Sequence, residues 1–238
     1  MMSQLFVVRH GQASFMAEDY DQLSPLGEEQ SRCLGEFWRR RGLDFDGVFM
    51  GPRRRHAQSW SAIGEGMEQD SMGVTDVLDG FDEHQVDQLL LPLERGALPM
   101  PEGVKRLWGN ARNETVPEDK KRAFQSVFKA LAEEWLDGRL RGEGVETWRQ
   151  FQQRVLEALE GLCRRVGRKK RVLLVTSAGV LGPIFQRATG CSDAKALEVT
   201  WVLRNSSVSE FRFSENRFGL VSFNSLAHLG ESRLLSYR

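Results

Sequence analysis

The chain has 238 residues, 40% hydrophobic and 28% charged, a composition that favours one α/β domain with an insertion, or two small domains, over disorder. Its 33 basic and 33 acidic residues cancel to a formal net charge of zero. That balance excludes bulk electrostatic attraction to nucleic acid or an anionic membrane, so any anion site must be local.

Along the chain, Leu5-Phe6-Val7-Val8 is a short β-branched and aromatic run that stops at Arg9-His10-Gly11, the pattern of a buried strand ending in a tight turn. Residues just past such a strand lie at its carboxyl end, where open α/β sheets bind ligands. A cation and an imidazole delivered there side by side suit holding a phosphoryl group and attacking it. Ser24-Pro25-Leu26-Gly27-Glu28 reads as a helix start, with Ser24 as N-cap, Pro25 at the first helical position and acid in the first turn. Leu26, Cys33, Leu34, Phe37 and Trp38 continue it at helical spacing. A second strand at Gly47 to Met50 opens into Gly51-Pro52-Arg53-Arg54-Arg55-His56-Ala57-Gln58-Ser59, again cations at a strand mouth.

The stretch from about 85 to 146 differs in character. It carries Pro92, Pro99, Pro101 and Pro117, dense charge, a helix through Phe124, Val127, Phe128, Leu131 and Trp135, and no strand pattern. It is expected to be an insertion packed over the carboxyl edge of the sheet within one domain spanning 1–238. It serves there either as a cap that shapes the pocket or as a solvated helical excursion. A further helix carries Phe151, Val155, Leu159 and Leu162, and the cationic run Arg164 to Arg171 reads as its solvated end. The strand Val172 to Thr176 leads into Thr176-Ser177-Ala178-Gly179, a small-residue strand-to-helix turn whose amides can hold an anion. Ser207 to Phe213 and Phe218 to Phe223, joined through Ser214-Glu215-Asn216-Arg217, predict an edge hairpin. Together these elements predict an α/β fold: three layers, α/β/α, with a mainly parallel sheet, an antiparallel edge hairpin and a mostly helical insertion.

Met1-Met2-Ser3-Gln4 lacks a cationic start followed by an apolar segment, and no apolar run is long enough to span a bilayer. Neither signal peptide nor membrane span is predicted, and a cytoplasmic location is expected. Cys33, Cys163 and Cys191 lie far apart, which suits reduced thiols buried as small hydrophobes. The four histidines are scattered, with no Cys-x-x-Cys or His-x-x-x-His spacing, so no metal ligands are predicted; the six tryptophans are scattered too and indicate no aromatic cofactor cage, so no cofactor is expected.

The order of Arg9-His10-Gly11-Gln12, Leu23-Ser24-Pro25-Leu26-Gly27-Glu28-Glu29-Gln30 and Arg55-His56-Ala57-Gln58-Ser59 resembles the histidine phosphatase superfamily, also called phosphoglycerate-mutase-like. The ending Phe223-Asn224-Ser225-Leu226-Ala227-His228-Leu229 is similar as well. The resemblance runs over nearly the whole chain and is broken by the insertion. It implies that His10 is the nucleophile that carries the phosphoryl group, as a neutral imidazole that neighbouring cations favour by penalising imidazolium. It further implies that Arg9 and Arg55 clamp phosphate oxygens. Arg55 has the spacing of the family's Arg-x-x-Gln motif, whereas Arg53 and Arg54 read as surface charges, and Gly51 stands at a position commonly occupied by Ser. Aligning Phe81-Asp82-Glu83 with the family's Leu-x-Glu places Glu83 as general acid, its pKa raised by bound phosphate. Asp82 and His84 are the spare candidates, and a register centred on Leu78-Asp79-Gly80 leaves no acid there. Gln12 follows the nucleophile, where its amide and side chain could touch phosphate, and Gln58 is expected to brace the Arg55 loop.

Two departures stand out. Ser177 occupies the place of a second histidine, so that a shorter neutral hydroxyl and the amides of the turn are left to hold a phosphate oxygen. By analogy with losing one preorganised donor, this costs roughly 100- to 1000-fold in rate. Met16 and Ala13 depart from the pattern of mutase members, which leaves water as the favoured final acceptor. The implied function is a phosphatase hydrolysing phosphomonoesters, small molecules or phosphoproteins, through a phosphohistidine on His10. The alternative is a catalytically degenerate phosphate-binding or phosphoprotein-sensing module. His56 and His228 are expected to be structural, and oligomeric state is not legible.

Overall fold

The computed structural model of the chain describes residues 2–14, 21–69, 73–96 and 100–237. In chain order the elements are β1 (Ser3–Arg9), α1 (Pro25–Arg40), β2 (Gly47–Met50), α2 (Arg54–Met67), β3 (Asp76–Val77), α3 (Leu90–Glu94), α4 (Glu102–Asn113) and α5 (Pro117–Leu136). There follow α6 (Trp148–Val166), β4 (Arg171–Thr176), α7 (Ala178–Thr189), α8 (Asp193–Val202), β5 (Val208–Ser214) and β6 (Arg217–Ser225). Met16 lies outside the described residues, as does Pro99.

Residues 1–83 and 154–238 form one compact unit and 84–153 a second. The first unit is built on a six-stranded sheet in the order β3-β2-β4-β1-β5-β6. β3, β2, β4 and β1 run parallel, and β5 and β6 close one edge antiparallel. Alternation along the strands divides the core between the two faces. Phe6, Val8, Val48, Met50, Leu173 and Val175 pack with Leu34 and Trp38 of α1 and Trp60, Ile63 and Met67 of α2. There Trp38, Phe45 and Phe6 meet edge to face at centroid distances of 4.9–6.2 Å, which adds about 1 kcal/mol per pair beyond burial. The opposite face carries α6 and α7: the Arg165 guanidinium lies over Phe49 at 5.5 Å, and Phe185 meets Phe223 at 4.7 Å. The result is the three-layer α/β/α arrangement with an edge hairpin.

Helix α1 starts as its sequence dictates. Ser24 is the N-cap, its hydroxyl accepts from the Gly27 amide at 3.1 Å, and Pro25 follows where no amide is needed. Strand β3 is only two residues long, and one of them, Val77, is half exposed, so it carries no apolar run that a sequence pattern could register. The cysteines are free but only partly buried, a correction to their expected burial; desolvation pushes the Cys163 thiol up to about 12.

The second unit holds α3, α4, α5 and the start of α6. Its core is aromatic: Trp135 meets Trp148 at 5.5 Å and His84 at 5.4 Å, and its indole N–H donates to the Glu146 carbonyl at 2.7 Å. Among the described residues no helix is long and apolar enough to cross a membrane.

Candidate active site

The parallel register assembles the site. Arg9 of β1 lies opposite Thr176 of β4, and Met50 of β2 opposite Val175, so the three strands end level. Backbone bonds carry the alignment one residue further: the His10 amide donates to the Thr176 carbonyl at 2.9 Å, and the Gly51 amide to the Val175 carbonyl at 3.0 Å. His10, Ser177 and the Gly51 loop therefore emerge side by side at the carboxyl ends of strands far apart in sequence. β3 adds a fourth component. Its chain continues through a 3-10 turn, Asp79–Phe81, whose Phe81 carbonyl accepts from the Thr176 hydroxyl at 2.8 Å, and Glu83 follows.

His10 is 6% exposed, and its Nδ1 lies 2.7 Å from the Gly11 carbonyl. That carbonyl can only accept, so Nδ1 carries the proton and the lone pair is on Nε2, which receives Arg55 Nε–H at 3.2 Å. Burial first, then the charges of Arg55 and Arg9, hold the imidazole well below its usual pKa. The ring is thus neutral, with a defined nucleophilic nitrogen.

Arg55, 6% exposed, fans its guanidinium over three partners: His10 through Nε, the Asp21 carboxylate through Nη1 at 2.8 Å, and Ser177 Oγ through Nη2 at 3.1 Å. Asp21 also accepts from the Arg54 amide at the start of α2. Arg9 is 4% exposed, and its Nη1 donates to the Leu203 carbonyl. The Glu83 carboxylate accepts from the Gly179 amide at 3.2 Å, at the electropositive N-terminus of α7. Asp82, a spare candidate, is instead held by the Arg53 guanidinium through two bonds, and His84 packs in the second unit against Trp135 and Phe151. Arg53 is therefore a half-buried ion-pair partner and not a free surface charge.

Gln12 is turned toward α1. Its amide donates to Gln30 Oε1, and its side-chain oxygen accepts from the Ser24 hydroxyl. Gln58 accepts from the Leu23 amide at 2.8 Å and so ties α2 to the segment before α1. Ser177 is fully buried under Arg55. His56, also fully buried, lies with Nε2 2.8 Å from Ser177 Oγ. His228 contacts Ser206 at 3.2 Å.

Two supports were given no role by the sequence pattern. The Ser59 hydroxyl accepts from the Gly11 amide and donates to the Arg55 carbonyl, so one side chain links the His10-Gly11 turn and α2. The buried run Asn205-Ser206-Ser207 holds the other side: the Ser206 amide donates to the His10 carbonyl at 3.1 Å, and the Arg9 amide to the Ser207 carbonyl. Small polar residues in a loop give no periodicity, so only their contacts reveal them. Among the described residues no cluster of three or more His, Cys, Asp or Glu is arranged to hold a metal ion.

Gly11 is required by close approach, since a Cβ there would lie 2.2 Å from the backbone oxygen of Gly27. Gly11→Ala is expected to cost about 3 kcal/mol or more. Thermal melting checks this, with a fall in Tm on the order of 10 °C.

Three buried histidines also set a stability profile. His10, His56 (about 3) and His228 (about 4) all titrate below the ordinary 6.5, chiefly through burial. The folded state binds each proton more weakly than the unfolded state. Their contribution is therefore at its full value above about pH 6.5 and falls on the order of 1 kcal/mol per histidine per pH unit below it, down to each folded pKa. Urea midpoints at pH 7 and pH 5 check this; the midpoint is expected to be lower at pH 5.

The family model of the histidine phosphatase superfamily (branch 1) matches residues 106–226, which contain the Ser177 turn. No curated protein matches the sequence. Among solved structures the fold is similar to a phosphoglycerate mutase from Bacillus anthracis str. Sterne, with TM-score 0.65, 15% identity, and coverage of 98% of this chain and 97% of that one. It is also similar to a phosphoserine phosphatase from Entamoeba histolytica crystallised with 3-phosphoglyceric acid (TM-score 0.61, 16% identity, 96% and 100% covered). A third is a putative alpha-ribazole-5'-P phosphatase from Escherichia coli (TM-score 0.63, 18% identity, 94% and 97% covered). Because the family model spans slightly more than half of the sequence, the chain belongs to the histidine phosphatase superfamily.

Proposed function

We propose that the protein is a phosphatase that hydrolyses phosphomonoesters of small molecules through a phosphohistidine on Nε2 of His10. The observation that carries this reading is a buried neutral imidazole whose Nε2 lone pair faces a guanidinium and accepts its Nε–H. A phosphoryl group entering between them would be met by a nucleophile on one side and a cation on the other. Arg9 and Arg55 neutralise charge on its oxygens, and Nε2 attacks in line with the leaving alcohol. Glu83, at the N-terminus of α7, gives the alcohol a proton and then takes one from the water that releases phosphate. Two of the similar structures are named as phosphatases, of phosphoserine and of alpha-ribazole phosphate, which supports a small phosphorylated substrate. Water as acceptor separates this reading from a mutase.

The test is turnover of an aryl phosphate in the presence of a chelator, with mass spectrometry of the peptide containing His10 after a base quench. Steady release of phosphate and a phosphoryl adduct on His10 are expected. Binding of inorganic phosphate with neither turnover nor adduct would overturn hydrolysis and leave a phosphate-binding module.

A further inference from the structure

Ser177, where the resemblance expects a second histidine, forms the N-cap of α7 and is fully buried. Its oxygen has two close partners, Arg55 Nη2 at 3.1 Å and His56 Nε2 at 2.8 Å. A guanidinium only donates, so Arg55 occupies one lone pair of the hydroxyl. A buried hydroxyl must place its own proton on an acceptor, and among the described residues the acceptor in reach is His56 Nε2. Donation therefore runs from Arg55 to Ser177 and from Ser177 to His56, which requires a neutral His56 protonated on Nδ1.

The surroundings meet that requirement. Burial first and the Arg55 charge second hold His56 at about 3, and a contact with the Gly51 backbone offsets part of the drop. Nδ1 meets that backbone without completing a hydrogen bond of good geometry. Gly51 also makes room for the ring, since a Cβ there would lie 2.7 Å from Nδ1.

We propose that His56 is a positioning residue for Arg55, acting through Ser177: the imidazole turns the serine hydroxyl into an acceptor that, with Asp21 and His10, fixes the guanidinium. Ser177 then serves beneath the arginine and does not reach the phosphate. The proposal rests on the reading of Arg55 as the phosphate clamp. It also means that restoring a histidine by Ser177→His does not restore activity, because the new ring would enter space that His56 already fills.

Four variants decide it: Ser177→Ala, His56→Leu, the two combined, and His56→Gln, whose amide oxygen can accept from Ser177. Each is melted to establish folding, then measured for affinity toward inorganic phosphate and for kcat/KM on p-nitrophenyl phosphate. Ser177→Ala and His56→Leu are each expected to weaken phosphate binding about 10-fold or more. The combined variant is expected to be no worse than the weaker of the two, and His56→Gln to remain within about threefold of wild type. Losses that add, a His56→Gln as weak as His56→Leu, or wild-type affinity in Ser177→Ala would each overturn the proposal. If His56→Leu does not fold, Ser177→Ala and His56→Gln decide it alone. Intact phosphate binding with the expected coupling but no turnover leaves the brace standing and removes the hydrolase reading; a wild type that binds no phosphate removes both.

Discussion

His10→Ala is expected to lower aryl phosphate turnover by about 10⁴-fold or more, with the phosphoryl adduct lost from the peptide that carries it. The size of the effect follows from the lack of a substitute. His56 and His228 are both buried, with Nε2 of the one against Ser177 and Nε2 of the other against Ser206, so neither takes the place of His10. Removing the ring also deletes a bond that orients Arg55. Single-turnover kinetics separate this chemical defect from weak binding. Residual turnover within tenfold of wild type would sink the phosphohistidine mechanism.

Arg55→Ala is expected to cost about 10³- to 10⁵-fold in kcat/KM, the scale of a guanidinium that stabilises a phosphoryl-transfer transition state. The side chain touches His10, Asp21 and Ser177 at once, so its loss removes the charge and releases three partners. Arg55→Lys should recover little, because an ammonium cannot reproduce a planar fork with three separate bonds. Kinetics of both variants, alongside their affinity for inorganic phosphate, measure the effect. A lysine variant close to wild type would show that charge alone suffices.

Much of the frame was legible in residue order. Leu5 to Val8, Gly47 to Met50 and Val172 to Thr176 are short apolar runs ending in turn-forming residues, and each became a central strand. Ser24-Pro25 marked the start of α1 because capping is local chemistry that acts within four residues. β3 escaped because two residues cannot display a period. In α2 the buried residues include Arg55, His56, Ser59 and Gly66 beside Trp60, Ile63 and Met67, so its inner side displays no apolar period.

The candidate site divides in the same way. The family resemblance carried by the order of motifs pointed to His10, Arg9, Arg55 and Glu83 as a set, each at the carboxyl end of a strand or in the segment that follows it. Which partners they have is a matter of register, bonds between residues more than 100 positions apart, such as Arg55 with Ser177. Sequence spacing carries no information about such pairs. By itself, then, the sequence determined the strands other than β3, the capped helix and an Arg-His pair at a strand end, since those depend on neighbours along the chain. Only the tertiary structure decided that Asp82 belongs to Arg53, that Gln12 serves α1, and that a buried imidazole stands behind Ser177. Hydrogen-bond partners of buried groups are chosen by what the folded backbone brings within about 3 Å, and nothing local specifies it.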